Sequence, residues 1–214
     1  MRVMATAVIV GLLVCGASAG ELSFGLDIEF SGASEPAGDK PWLTATLDDG
    51  GSAGTVDLTL ETTNLSDGEY VGVWMFNVDP ALAGQLGSLQ IDFILAGSEG
   101  TFDTPDVYIG ENAYKADGDG YFDIKILFSD TDEGTAHRFN FGDKAKYAIS
   151  GIGSLTADSF DFVSEPNGST SEFRTAAHVK GIGENSGWIA TPEPATLSLL
   201  VLGGLALLRR RRRS

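Results

Sequence analysis

Between residues 20 and 191, glycine and proline interrupt the chain so often that no run free of both exceeds 13 residues. Long helices are disfavoured by such punctuation, whereas short strands joined by turns suit it. Alternation points the same way. In residues 55–62, Val56, Leu58 and Leu60 alternate with Asp57, Thr59 and Glu61, the pattern of a half-buried strand. Residues 69–78 set Val71, Val73 and Met75 against Tyr70, Trp74 and Phe76, so both faces of that strand are expected to be covered. Residues 89–95 and 121–128 behave similarly. Shorter candidate strands are residues 22–30, 42–47, 138–141, 147–150, 159–163 and 187–190. Residues 170–180 are ambiguous and allow a helical turn. The expected fold is all-β: a single antiparallel β-sandwich, jelly-roll-like, over residues 20–190. No repeat of fixed period argues for a solenoid.

Charge excludes one class of partner. Of 30 acidic and 14 basic side chains, residues 20–191 hold 29 and 8, which leaves 8 − 29 = −21 on this stretch. Such a surface repels phosphate backbones, so no nucleic-acid partner is expected. All twenty aromatic residues also lie in this stretch, and the chain is 43% hydrophobic. That composition supports a packed core rather than a disordered acidic tail.

The two ends are of a different kind. Residues 1–19 run from Arg2 through an apolar stretch to Cys15 and then Gly16-Ala17-Ser18-Ala19. A positive start, a short greasy segment and a small-x-small site predict a secretory signal peptide. Ala17 and Ala19 suit the two small-residue pockets of signal peptidase, with cleavage after Ala19. Val14 before Cys15 is too large for a lipoprotein box. Cys15 is the single cysteine, so the mature chain is expected to carry no thiol and no disulfide. At the other end, residues 191–214 contain Pro192-Glu193-Pro194, an uncharged stretch over 195–208, and Arg209, Arg210, Arg211, Arg212 and Arg213. As a helix, 195–208 reaches about 21 Å against a hydrocarbon core of about 30 Å, so it spans only marginally. The arginines would stay cytoplasmic by the positive-inside rule, placing residues 20–191 outside. The two prolines stiffen a short extended segment that carries one carboxylate.

Pro-Glu-Pro, a short hydrophobic helix and a terminal arginine cluster, in that order, resemble the PEP-CTERM sorting signal of Gram-negative bacteria. The resemblance covers about the last 24 residues. It implies recognition by exosortase, a membrane enzyme that acts near the Pro-Glu-Pro, and a cell that makes extracellular polysaccharide. The middle of the chain is similar to a recurrent ectodomain of such proteins through Pro41-Trp42-Leu43-Thr44-Ala45, residues 74–80, residues 117–123, residues 175–179, Gly181-Ile182-Gly183 and Gly187-Trp188-Ile189. The biochemical function of that ectodomain is unassigned, so the similarity adds family membership and no mechanism.

The local chemistry offers few candidates. Asp117-Gly118-Asp119-Gly120-Tyr121-Phe122-Asp123 places carboxylates as an EF-hand-type calcium loop would, with Asp117, Asp119 and Asp123 as candidate ligands. Lys115 and Ile126 occupy two positions where that loop needs oxygen donors, and a polar Asp-Gly hairpin turn accounts for the same residues. Asp130-Thr131-Asp132-Glu133 is a second acidic loop, read as a solvated turn. Gly50-Gly51-Ser52-Ala53-Gly54 has the form of a nucleophile elbow but lacks the strand before and the helix after. His137 and His178 are too few for a zinc site, and no carboxylate pair stands out among 29 acids. Trp42, Trp74 and Trp188 offer sugar-stacking faces or, by default, core packing.

The expectation is therefore a non-enzymatic protein, exported by Sec and tethered by its C-terminal helix until exosortase processes it. Its expected place is the cell envelope, outer surface or extracellular matrix, with a structural or adhesive role. Expected partners are signal peptidase, exosortase and extracellular polysaccharide, with calcium the one candidate ion. The rivals are a carbohydrate-binding module, which needs exposed coplanar rings, and a carbohydrate-active enzyme, which needs two facing carboxylates in a groove.

Overall fold

The computed structural model describes residues 20–117, 120–131, 135–166 and 172–191. These form strands β1 (Glu21–Leu26), β2 (Ile28–Glu29), β3 (Leu43–Asp48), β4 (Val56–Glu61), β5 (Tyr70–Phe76) and β6 (Gln90–Glu99). The rest are β7 (Asp106–Lys115), β8 (Tyr121–Leu127), β9 (Phe139–Asn140), β10 (Lys144–Ser150), β11 (Thr175–Ile182) and β12 (Asn185–Ala190). One sheet has the order β1-β3-β4-β10-β6 and the other β2-β12-β11-β5-β8-β7, with β9 adding to β5. Every pairing is antiparallel, so the expected all-β sandwich stands.

Alternation explains why the first sheet faces inward as it does. Leu43, Ala45 and Leu47 on β3, Val56, Leu58 and Leu60 on β4, and Ala145, Tyr147 and Ile149 on β10 are all buried. The register sets Leu47 against Leu58 and Ala45 against Leu60, which stacks apolar pairs across the strands. From the second sheet, Trp74, Phe76, Ile124, Ile126 and Val179 meet them in one continuous core. Phe128 and Phe139 stack at 4.4 Å, and Phe102 packs edge-on against Phe139 at 4.9 Å. β5 is covered on both faces, as its sequence requires. Its Met75 joins Phe122, Phe173 and Ala176 in a second cluster.

Three segments differ from expectation. Residues 159–163 do not form a strand; Ala157–Phe160 is a 3₁₀ helix. Its start is fixed locally, with Thr156 N–H donating to Ser159 Oγ at 3.1 Å and Ser159 N–H to Thr156 O at 3.0 Å. The ambiguous stretch 170–180 contributes β11, whose partners on both sides supply the ladder that periodicity alone did not reveal. β7 was not expected at all: Gly110 and four polar or charged residues interrupt its alternation.

Among the described residues no helix is long and apolar enough to cross a membrane. Ala17, Ala19, the segment 195–208, Pro192, Glu193, Pro194 and the five arginines lie outside the described residues.

Candidate functional site

The irregularity of β7 builds a polar cleft near the sequence candidates. Ile109 pairs with Ile124 and Tyr114 with Phe122, so four residues of β7 face Asp123 alone. The surplus bulges outward, and Asn112 turns into the left-handed region at φ 47°. Asp123, 7% exposed, fills the gap. Its Oδ1 accepts from Asn112 N–H at 2.8 Å and its Oδ2 from Val78 N–H at 2.9 Å. Around it opens a cleft of about 300 Å³ bordered by Asp79, Glu111 and Glu165 as well as Asp123. Nearby, buried Asn77 donates from Nδ2 to Phe173 O at 3.1 Å.

This geometry places the three candidate calcium ligands differently. Asp123 spends both oxygens on backbone donors. Asp117 is exposed at the end of the hairpin, at φ 47°. Asp119 lies outside the described residues. Among the described residues no three His, Cys, Asp or Glu side chains are grouped so as to hold a metal ion. Gly120 is required by close approach: a Cβ there would lie 2.4 Å from Ser164 Oγ, at a φ of +92°.

The remaining candidates are committed elsewhere. His137 Nδ1 lies 2.9 Å from Asp103 Oδ1 on the surface, and this pairing holds the Asp103 carboxyl below its usual range. His178 stacks on Trp188 at 4.8 Å; burial, aided by Lys180, pushes its pKa below 6.5 against the opposing pull of Asp130 and Asp117. Trp42 and Trp74 are core residues, each with its indole N–H bonded: to Gly38 O and to Thr175 Oγ1, both at 2.8 Å. Trp188 is the half-exposed one. Gly50-Gly51-Ser52-Ala53-Gly54 is the turn between β3 and β4.

Two polar surfaces escaped the sequence. In the first, Lys125 Nζ stands 4.4 Å above the Tyr108 ring and 5.1 Å from the Tyr114 ring, while Lys115 lies 5.1 Å over Tyr121. Lys144, Arg174 and Lys180 instead meet carboxylates, and Lys40 meets both Glu35 and the Trp42 ring. Tyr108 is 41% exposed, so β7 and β8 present an aromatic and cationic face on an otherwise acidic body. No sequence signal pointed to it because β7 itself was unread. The second is a wide polar cleft of about 750 Å³ beside Tyr70, Lys180, Glu184 and Asn185. There Asp130 accepts from Tyr70 Oη at 2.6 Å and pairs with Lys180. Burial raises the Asp130 carboxyl, but Lys180 and Tyr70 together hold it below the usual range.

The described chain ends at Thr191, 5% exposed, immediately after the fully buried Ala190 of β12. Thr191 N–H still reaches Thr175 O at 3.4 Å. Pro192 is the next residue. No curated protein and no solved structure matches the chain. The family described as the PEP-CTERM protein-sorting motif matches residues 190–213, so the match begins at the last residue of β12 and the chain carries the sorting signal of an exosortase substrate.

Proposed function

We propose that this protein is a non-enzymatic structural or adhesive component of the cell envelope or its extracellular matrix, in a Gram-negative cell that makes polysaccharide. The export and surface sorting follow from the motif at residues 190–213; the adhesive role is our reading. Its main support is that the sorting motif begins at residue 190, the last residue of β12, so the folded sandwich is the part that sorting delivers. The commitments of Asp123 and His178 to structural contacts favour a non-catalytic body.

In this reading Sec exports the chain, signal peptidase removes residues 1–19, and exosortase acts near Pro192-Glu193-Pro194. The mass of the mature protein tests this. Loss of both ends, with the arginine cluster gone, is the expected result; an intact Arg209 to Arg213 tail overturns exosortase processing.

A second reading, carbohydrate binding, is favoured by one observation: the exposed Tyr108 ring beside Lys125. Aromatic faces stack on sugars, and a lysine adds affinity for carboxylated ones. Retention of the purified protein on matrix polysaccharide is then expected to fall about tenfold in Tyr108→Ala, the loss of roughly 1.4 kcal/mol. Equal retention of the variant removes this reading.

A further inference from the structure

Gly20, the residue after the expected cleavage point, places its backbone nitrogen 2.9 Å from Asp49 Oδ1. The β1–β3 ladder begins one residue later, at Glu21 opposite Asp48. Gly20 O accepts Asp49 N–H at 3.1 Å, so the two residues bond in both directions. The Gly20 nitrogen thus faces a carboxylate rather than a backbone carbonyl. Asp49 serves two other segments as well. Its Oδ1 accepts Gly51 N–H at 2.9 Å from the β3–β4 turn, and its Oδ2 accepts Ala157 N–H at 3.2 Å from the 3₁₀ helix. The donors from Gly20, Gly51 and Ala157 hold the Asp49 carboxyl below its usual range, so it is ionised at neutral pH. A Cβ at position 20 would lie 2.8 Å from Asp49 Oδ2, so a side chain there forces the carboxylate and the terminus apart.

In the precursor, Gly20 nitrogen is an amide with one hydrogen to give. Cleavage after Ala19 changes that atom. Water breaks the Ala19–Gly20 peptide bond, its hydroxyl goes to the Ala19 carbonyl carbon, and the nitrogen becomes an α-amine. An α-amine of ordinary pKa, about 7.7–8.0, is largely protonated at neutral pH. A hydrogen bond charged on its acceptor alone thereby becomes an ion pair at the same place.

We infer that Asp49 is the receptor for the amino terminus that cleavage after Ala19 releases, an ion pair that fastens the start of β1 to the β3–β4 turn and the 3₁₀ helix. The elements meeting there add only acids near this corner: Glu21 on β1, Asp48 on β3, Asp57 on β4 and Asp158 on the 3₁₀ helix. Lys146 of β10 lines the adjoining cleft with Glu21, Asp48 and Asp57. These acids favour a cation at residue 20. The inference rests on the exported reading for the position of the cut.

The test uses protein purified from the envelope after export, acylated with an amine-reactive ester at neutral pH and read by mass spectrometry of its N-terminal peptide. That peptide is expected to begin at Gly20. Its α-amine is expected to react about three to ten times faster in Asp49→Asn than in the parent, because each unit of amine pKa is a factor of ten. Lysine labelling serves as the internal control and stays constant. Gly20→Ala provides a second arm that keeps Asp49 and its other two donors but pushes the terminus away; the same acceleration is expected. A peptide that starts at Gly20 and reacts equally in all three proteins overturns the ion pair and leaves export intact. A start elsewhere in the exported chain overturns it too, and a peptide starting at Met1 sinks the exported reading with it.

Discussion

Asp123 and Tyr147 are opposite cases of a buried polar side chain. Asp123 gives both oxygens to backbone donors, so Asp123→Ala strands two N–H groups and is expected to cost about 2–3 kcal/mol, read as a lower denaturation midpoint. Tyr147 is fully buried, its hydroxyl has no hydrogen-bond partner among the described residues, and burial drives its pKa far upward. Tyr147→Phe removes only that hydroxyl and is expected to leave stability unchanged or raise it by about 1 kcal/mol. His178 supplies a pH dependence. Its folded pKa lies below 6.5, so on acidification the unfolded chain takes the proton first. Its contribution is complete above about pH 6.5 and is lost as pH falls through the folded value. Trp188 fluorescence is expected to change with that titration through the stacked ring, and His178→Gln to flatten both curves. The Asp117 to Asp123 spacing was visible in the sequence, but the role of Asp123 was not. It depends on donors from Val78 and Asn112, which only folding brings to it.

At the level of elements, what was legible follows from where the side chains point. β3, β4 and β10 alternate cleanly because only one of their faces is buried, and β5 and β8 announce themselves by dense apolar residues. β7 has no such regularity, since its bulge and mostly exposed residues remove the two-residue period. Residues 159–163 mislead in the other direction: Phe160 and Phe162 read as strand, while the Thr156–Ser159 bonds curl the backbone. β11 was obscured by a register shift between Lys180 and Ile182. Gly181, inside that shift, has φ +76°, and a Cβ there would lie 2.1 Å from Gly68 O. Gly181→Ala is expected to cost about 1–3 kcal/mol, seen as a lower melting temperature, because both the backbone conformation and the contact are refused to a side chain.

Over the whole molecule, the sandwich and the C-terminal sorting motif were readable because punctuation, alternation and a short terminal motif are properties of residue order. The surface formed by Tyr108, Tyr114 and Lys125 was not, because it is a property of neighbours brought together across β7 and β8. The removal of residues 1–19 that we propose would take away Cys15, the single cysteine. The mature protein is therefore expected to unfold at the same temperature with and without a reducing agent. The exit at Thr191 carries a mechanical meaning. β12 lies between β11 and β2, and its bonds to them run across the strand axis. A pull applied at Thr191 along the axis of β12 would load the rungs on either side in shear, several at once. Directed across an outermost strand, the same force would peel it rung by rung.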